Sequence, residues 1–266
     1  MGGEFAKTFP AVVNERDDLV PQTPTILYTI STVDNYNVKE NPHLDIDTNL
    51  SVLIDVLENC RLKYGSDFEF NFVSSWFVYG KTDMPASEDS HCNPTGFYSA
   101  TKRCAEQLLI SYCQLYGIKY RILRLSGVLG KEDRRVSLKK NYLQHAIRQI
   151  VNGETVTLYE GELIRDFIDV RDAVRAIALI IEKGEADSIW NIGSGVPFSV
   201  VHLIQHVHQN TKMGQIVRIP VPEFHKQVQV QDMYLDISKL RGLGFSHKHD
   251  IYDTVDEIAD YYASPD

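Results

Sequence analysis

The chain has 266 residues, 43% of them hydrophobic, and carries 36 acidic against 27 basic side chains, a net charge of −9. Such a length and composition suit one large core, or a main core with a smaller lobe attached, and exclude a fibrous or disordered protein. The acidic balance disfavours nonspecific attraction to nucleic acid, so an anionic ligand has to be met by locally placed arginines.

Along the first two thirds, short apolar runs rich in β-branched and aromatic residues alternate with segments of helical spacing, the signature of a parallel α/β sheet. Thr25 to Ser31 reads as the first strand. Asp47 or Thr48 is the expected cap of a helix running to about Tyr64, with Leu50, Leu53, Ile54, Leu57 and Cys60 inward. Glu69 to Ser75 is the second strand. Tyr98 to Tyr116 is a helix with a Cys104, Leu108, Leu109 and Tyr112 stripe, and Lys119 to Val128 is the third strand. Further helices are expected at Lys140 to Asn152, Val170 to Lys183, Phe198 to Thr211 and Ile251 to Tyr262, with a short strand at Ser188 to Ile192. The longest aliphatic run, Ala176 to Ile181, is far too short to span a membrane, and Glu4 and Lys7 break any secretory apolar region. The expectation is a soluble, cytoplasmic protein. Cys60, Cys92, Cys104 and Cys113 form no Cys-x-x-Cys pair and read as reduced thiols, and the sequon at Asn49 to Ser51 then carries no glycan. His202, His206 and His208 share a predicted helix, but no carboxylate or cysteine completes a ligand set at suitable spacing, so no metal is expected.

The chemistry concentrates at Tyr98 and Lys102. Four residues apart at the start of a helix, they share one face. An ammonium within about 4 to 6 Å lowers a phenol's pKa from about 10 by roughly 1 to 3 units, enough to make tyrosine a usable base. Such a phenolate can take a proton from a hydroxyl as hydride leaves the carbon. Taken alone, a Tyr-x-x-x-Lys pair occurs by chance in a chain with 14 tyrosines. Its context is more specific: Ser74 and Ser75 end an apolar strand, where α/β proteins place ligand-contacting groups.

The stretch VSSWFVYG (Val73 to Gly80), then Pro94 and YSATKRCAEQLL (Tyr98 to Leu109), resembles the extended short-chain dehydrogenase family of nucleotide-sugar enzymes. Further likeness lies in YTIS (Tyr28 to Ser31), Asn49, LRLSGVLG (Leu123 to Gly130), RDFIDVRDAVRAI (Arg165 to Ile177), WNIGSG (Trp190 to Gly195) and DISKLRGLGF (Asp236 to Phe245). Together these run from Thr25 to Tyr262, and their shared order is more specific than any one of them. The resemblance implies a partial Rossmann-like parallel sheet with helices on both faces and a smaller C-terminal substrate-binding lobe. The cofactor-binding and catalytic part would be residues 1–130, and the nucleotide-sugar region, interleaved with the last sheet elements, residues 131–266. It implies Ser75, Tyr98 and Lys102 as the catalytic triad. NAD or NADP would lie against Thr29, Ile30, Ser31, Asn49, Tyr98, Lys102 and Leu125. A nucleotide-diphosphate sugar would meet Ser75, Ser126, Gly127 and Arg165, whose planar fork suits a diphosphate; the bland reading of Arg165 is a solvated pair with Asp166. The implied activity is that of an epimerase or ketoreductase passing through a keto-sugar, and the implied assembly is a homodimer through the 48–64 and 98–116 helices.

Three departures qualify the likeness. Relatives open with a Gly-x-x-Gly-x-x-Gly turn that holds pyrophosphate at a helix N-terminus. Here Gly2, Gly3 and Phe5 are the nearest remnant, which leaves Thr25 at a sheet edge and keeps open a fragment, a partner chain that supplies the turn, or a noncatalytic pseudoenzyme or assembly subunit. Trp76 and Phe77 replace the acidic pair of the 4,6-dehydratases, which favours epimerase or ketoreductase chemistry. Gly127 stands where many relatives place an asparagine.

Overall fold

A computed structural model describes residues 1–15, 17–33, 36–133, 136–137, 140–223 and 232–264. Its centre is a four-stranded parallel sheet of β1 (Thr25–Tyr28), β2 (Glu69–Ser75), β3 (Lys119–Leu125) and a late strand, Ser188–Ile192, in that spatial order. Parallel neighbours need crossovers. Between β1 and β2 the chain passes through α2 (Asn37–Glu40), α3 (His43–Ile46), a π-helical turn (Asp47–Ser51) and α4 (Val52–Tyr64). Between β2 and β3 it passes through α5 (Phe97–Tyr116), closed by Gly117 in the left-handed conformation. Helices α4 and α5 bury Leu53, Leu57, Cys60, Leu109 and Cys113 against Phe70, Phe72 and Ile122 of the sheet.

Beyond β3 the chain forms β4 (Gly127–Leu129), α6 (Tyr142–Val151), β5 (Thr155–Tyr159), β6 (Ile164–Arg165), β7 (Phe167–Asp169) and α7 (Val170–Lys183) before returning to the sheet as β8 (Ser188–Ile192). Helix α7 covers the opposite sheet face, placing Ala173, Ile177 and Ile180 with Leu123, Trp190 and Ile192. The helix α1 (Gly2–Thr8) packs against α7, with Met1 and Phe5 on the same apolar cluster. A second core joins α6, β5, α8 (Val200–Thr211) and the C-terminal helix Ile251–Ala263 through Leu143, Ile147, Leu158, Leu203, Val207 and Val255. Also described are β9 (Phe198–Ser199), β10 (Gln215–Ile219), which pairs with β5, and α9 (Ser238–Gly242). Among the described residues no helix is long and apolar enough to cross a membrane.

Glu69 to Ser75, Val170 to Lys183 and Ser188 to Ile192 have the bounds the sequence suggests. Four expectations change. The first strand ends at Tyr28, before Ser31. The strand expected from Lys119 to Val128 breaks at Ser126: the Ser126 amide donates to Ile192 O (2.8 Å) and that of Gly127 to Asp166 O (3.0 Å), so the chain leaves β3 and pairs with β7. Asp47 and Thr48 do not cap a helix, because helical backbone already begins at His43 and passes through the π turn, where Thr48 and Asn49 are buried. The expected stripe on α5 is rotated: Cys104 and Leu108 are exposed, while Lys102, Ala105, Glu106, Leu109 and Cys113 face inward. The polar residues of that face are stable inside because each finds a partner there.

Candidate active site

The register β2 with β3 sets Ser75 beside Leu125 at the carboxyl edge of the sheet. Ser75 ends its strand by capping a 3₁₀ turn, Trp76–Val78, accepting from the Phe77 amide at 3.3 Å. A hydroxyl that accepts keeps its own proton to donate. Gly80 follows at φ +60, where a Cβ would stand 1.7 Å from Asn93 O, so this close crossing needs glycine. The crossing delivers Pro94 to Gly96 to the start of α5, where Ser99 Oγ accepts from the Gly96 amide at 3.0 Å. Tyr98, the second residue of α5, is thereby brought to the same edge as Ser75; its ring meets Phe77 edge-on, with centroids 6.0 Å apart.

Lys102 lies one turn further along, beneath the site rather than on its wall. It is 2% exposed, donates to Val73 O at 2.8 Å and sits 4.1 Å from the Phe72 ring centre. Burial pushes its ammonium down to about 7, against an opposing contribution from Glu106.

Glu106 is the node that ties the site's elements together. Its fully buried carboxylate accepts from Arg124 Nε (3.0 Å) and Nη2 (2.8 Å), from Ser74 Oγ (2.6 Å) and from Arg103 (2.8 Å). One side chain thus links α5 to the ends of β2 and β3. Burial pushes its pKa up, but the hydrogen bonds and charge of Arg124, with Ser74 and Arg103, hold it below the ordinary carboxylate range. Glu106→Gln leaves Arg124 buried without its counter-charge and is expected to cost about 3–5 kcal/mol of stability at neutral pH. Because the folded pKa is depressed, the contribution is present above the ordinary carboxylate pKa and is lost as pH falls through the folded value. Urea unfolding at pH 7 and at pH 4 measures both: the gap between wild type and variant narrows in acid.

Ser75, Tyr98, Leu125, Ser126, Gly127 and Arg165 line one cavity of about 1060 Å³, shared with Trp76, Phe77 and the first residues of α1. A drug-sized ligand occupies roughly 300–1,000 Å³. Arg165 lies over the Trp76 ring at 5.1 Å, and burial pushes its guanidinium down to about 10, partly opposed by Asp232. The Asp166 carboxylate instead accepts from Ser194 N (2.7 Å) and Oγ (2.8 Å), Gly195 N (3.0 Å) and Leu235 N (3.1 Å), while burial raises its pKa. The solvated Arg165–Asp166 pair is therefore not what forms. Ser126 Oγ is buried with no hydrogen-bond partner among the described residues, on the cavity wall. An orphaned hydroxyl beside an open space is the mark of a ligand contact. At Gly127 a Cβ would stand 2.7 Å from the Phe167 ring, so that ring fills the space a side chain would take.

Thr29, Ile30, Ser31 and Asn49 lie off this cavity. Ile30 borders a separate space of about 240 Å³ with Leu19 and Thr48. Asn49 accepts from Ser31 Oγ (3.0 Å) and the Thr32 amide (2.9 Å) and donates to Thr32 Oγ1 (2.8 Å) and Thr101 Oγ1 (3.1 Å). Its amide pins the end of β1 to α5. Thr29 does stand near α1: a Cβ on Gly2 would be 3.7 Å from Thr29 Oγ1. Sequence reasoning missed the Glu106–Arg124 pair, although a charged residue inside the buried run KYRILRL signals a buried partner.

The NAD dependent epimerase/dehydratase family matches residues 15–193. A Methanocaldococcus jannaschii protein named provisionally as a UDP-glucose 4-epimerase is 28% identical over 239 residues, 89% of this chain and 76% of its own length. Among solved structures, the Thermus thermophilus UDP-glucose 4-epimerase complex with NAD superposes with a TM-score of 0.79 at 23% identity, covering 91% of this chain and 78% of that one. The Bacillus cereus UDP-glucuronic acid 4-epimerase, in complex with UDP-glucuronic acid and NAD, gives 0.82 at 21% identity, covering 93% and 78%. With two thirds of its length inside the match and the fold shared, this chain belongs to the NAD dependent epimerase/dehydratase family.

Proposed function

We propose that the chain is a cytoplasmic NAD(P)-dependent nucleotide-sugar epimerase or ketoreductase that works through a keto-sugar. The observation that carries this reading is the convergence of Ser75, Tyr98, Leu125, Ser126, Gly127 and Arg165 on one cavity within a chain of this family. Tyr98 and Leu125, both on the cavity wall, would hold the nicotinamide end of NAD(P), which would supply the hydride acceptor and donor. Tyr98 takes the proton from the sugar hydroxyl. Ser75 donates to the oxygen as it becomes a carbonyl, its acceptor side being used by the Phe77 amide. Lys102, when protonated, favours the phenolate from beneath, and Arg165 meets the diphosphate. Asn49 acts at one remove from the cofactor, holding Ser31 and Thr32 after β1 against Thr101 of α5. In this reading residues 1–130 form the cofactor and catalytic part and residues 131–266 the nucleotide-sugar region. Trp76 and Phe77 offer no carboxyl group for eliminating water, which disfavours dehydration.

The test is calorimetric titration of the 266-residue protein with NAD+ and NADP+, with and without nucleotide-sugars, followed by product analysis. Bound dinucleotide with a converted sugar is the expected result. A nucleotide-sugar bound without dinucleotide, and no conversion, would overturn the reading in favour of a noncatalytic relative.

The same proposal includes a homodimer through α4 and α5, supported by Leu62 and Leu115, each 74% exposed, with Leu108 and Tyr116. Singly exposed apolar residues are ordinary, but four on two adjacent helices favour a partner face. Wild type is expected to sediment as a dimer and a Leu108→Glu, Leu115→Glu protein as a monomer. A monomeric wild type at about 50 μM removes the dimer from the proposal.

A further inference from the structure

Between Arg165 and Tyr98 the cavity wall is made of aromatic rings. The Arg165 guanidinium lies 5.1 Å over the Trp76 ring. The Trp76 and Phe77 rings stack at 4.0 Å with 24° between planes, and Phe77 meets the Tyr98 ring at 6.0 Å and 82°. All four side chains border the cavity, so they form one continuous surface from the cation to the phenol. Trp76 is 7% exposed and built into the core beside Val78, Tyr79 and Ile168, which fixes the wall in place. The hydroxyl without a partner among the described residues, Ser126 Oγ, lies on the same cavity.

This arrangement constrains how a sugar can lie. A pyranose held by its anomeric diphosphate at Arg165, with its reacting hydroxyl at Tyr98, reaches from C1 toward C4 along the Trp76–Phe77 stack. One edge between those carbons carries the C2 and C3 hydroxyls, which need polar partners such as Ser126. The other carries the ring oxygen and C5. Aromatic rings suit the second edge, and what C5 bears then decides the fit. A hydrogen or methyl group packs on the rings, whereas a hydroxymethyl or carboxylate gives up hydration there and gains no hydrogen-bond partner from those rings. We propose that Trp76 and Phe77 are specificity-determining residues that select nucleotide-sugars bearing hydrogen or methyl at C5, pentoses and 6-deoxyhexoses, over those bearing hydroxymethyl or carboxylate. This rests on the nucleotide-sugar reading above.

The experiment is calorimetric titration of the intact 266-residue protein, with NAD+ present, using UDP-xylose, UDP-glucose and UDP-glucuronic acid, with UDP as reference. GDP-rhamnose against GDP-mannose makes the same comparison in a guanine series. The C5-hydrogen or C5-methyl member is expected to bind roughly tenfold or more tightly than its hydroxymethyl counterpart, and the carboxylate more weakly still. Phe77→Ser is expected to shrink that ratio below about threefold with nucleotide affinity unchanged, while Phe77→Leu, still apolar, keeps it. Equal affinities in wild type, a preference for hydroxymethyl or carboxylate, or a ratio unmoved in Phe77→Ser would overturn the wall's role while leaving the enzyme class standing. Failure of every nucleotide and nucleotide-sugar to bind would overturn the class itself, and the wall with it.

Discussion

A Tyr98→Phe protein should fold as wild type, bind dinucleotide and nucleotide-sugar within about threefold of it, and turn over roughly 10²–10⁴ times more slowly. The substitution removes one oxygen from a side chain that is 7% exposed and keeps the ring that meets Phe77. Binding is expected to survive because Arg165, Ser126 and the Trp76–Phe77 wall are untouched. The loss falls on the chemical step, since a proton acceptor contributes only as the hydroxyl gives up its proton and its carbon gives up hydride. It should therefore appear equally in kcat and kcat/KM. Single-turnover absorbance of reduced nicotinamide isolates that step. Full turnover by the variant on its true substrate would remove Tyr98 as the base and shift attention to a group elsewhere on the cavity.

How far such a site can be read from sequence depends on what holds each part. Ser75 and Tyr98 were legible because two local rules place them: a hydroxyl at the end of an apolar strand, and a tyrosine opening the next helix. Strand β2 and helix α7 were legible at both ends because their apolar runs stop at polar residues. Asn49 was expected at the cofactor by likeness only; it lies off the cavity, and its four hydrogen bonds to Ser31, Thr32 and Thr101 depend on β1 and α5 meeting around it. The inward face of α5 was misjudged for the same kind of reason. Spacing rules assign polar Lys102 and Glu106 outward, and only the arrival of Val73 O, Ser74 and Arg124 from neighbouring strands makes them stable inside. The stack that joins Arg165 to Trp76 unites a strand of the second half with a turn of the first, a contact that no local pattern encodes.

Lys102→Met should produce opposite effects on activity and stability. In the folded protein burial pushes the Lys102 ammonium down to about 7, from a model-peptide value of about 10.4. A shift of that size corresponds to a cost of about 5 kcal/mol for keeping the proton in the folded state. The sign follows from linkage. Below pH 7 the lysine is charged in both folded and unfolded chains, and the cost is present in full. Between pH 7 and about 10.5 the unfolded chain binds the extra proton, so stability rises with pH, and above that range the cost is gone. Methionine removes the cost and, in exchange, loses the hydrogen bond to Val73 O and the contact with the Phe72 ring, together worth about 2 kcal/mol. The variant should therefore be more stable by about 2–3 kcal/mol at pH 6 to 7, with a melting temperature higher by roughly 4–10 °C. That advantage should vanish toward pH 10.5. Turnover should fall most below about pH 7, where the wild-type lysine is charged and the variant has no cation to replace it. A buried charge kept at such a cost is what an active site needs and a merely structural core does not. Thermal melts of both proteins from pH 6 to 10 supply the decisive reading: a variant less stable than wild type at pH 6 would show that Lys102 is an ordinary packing residue.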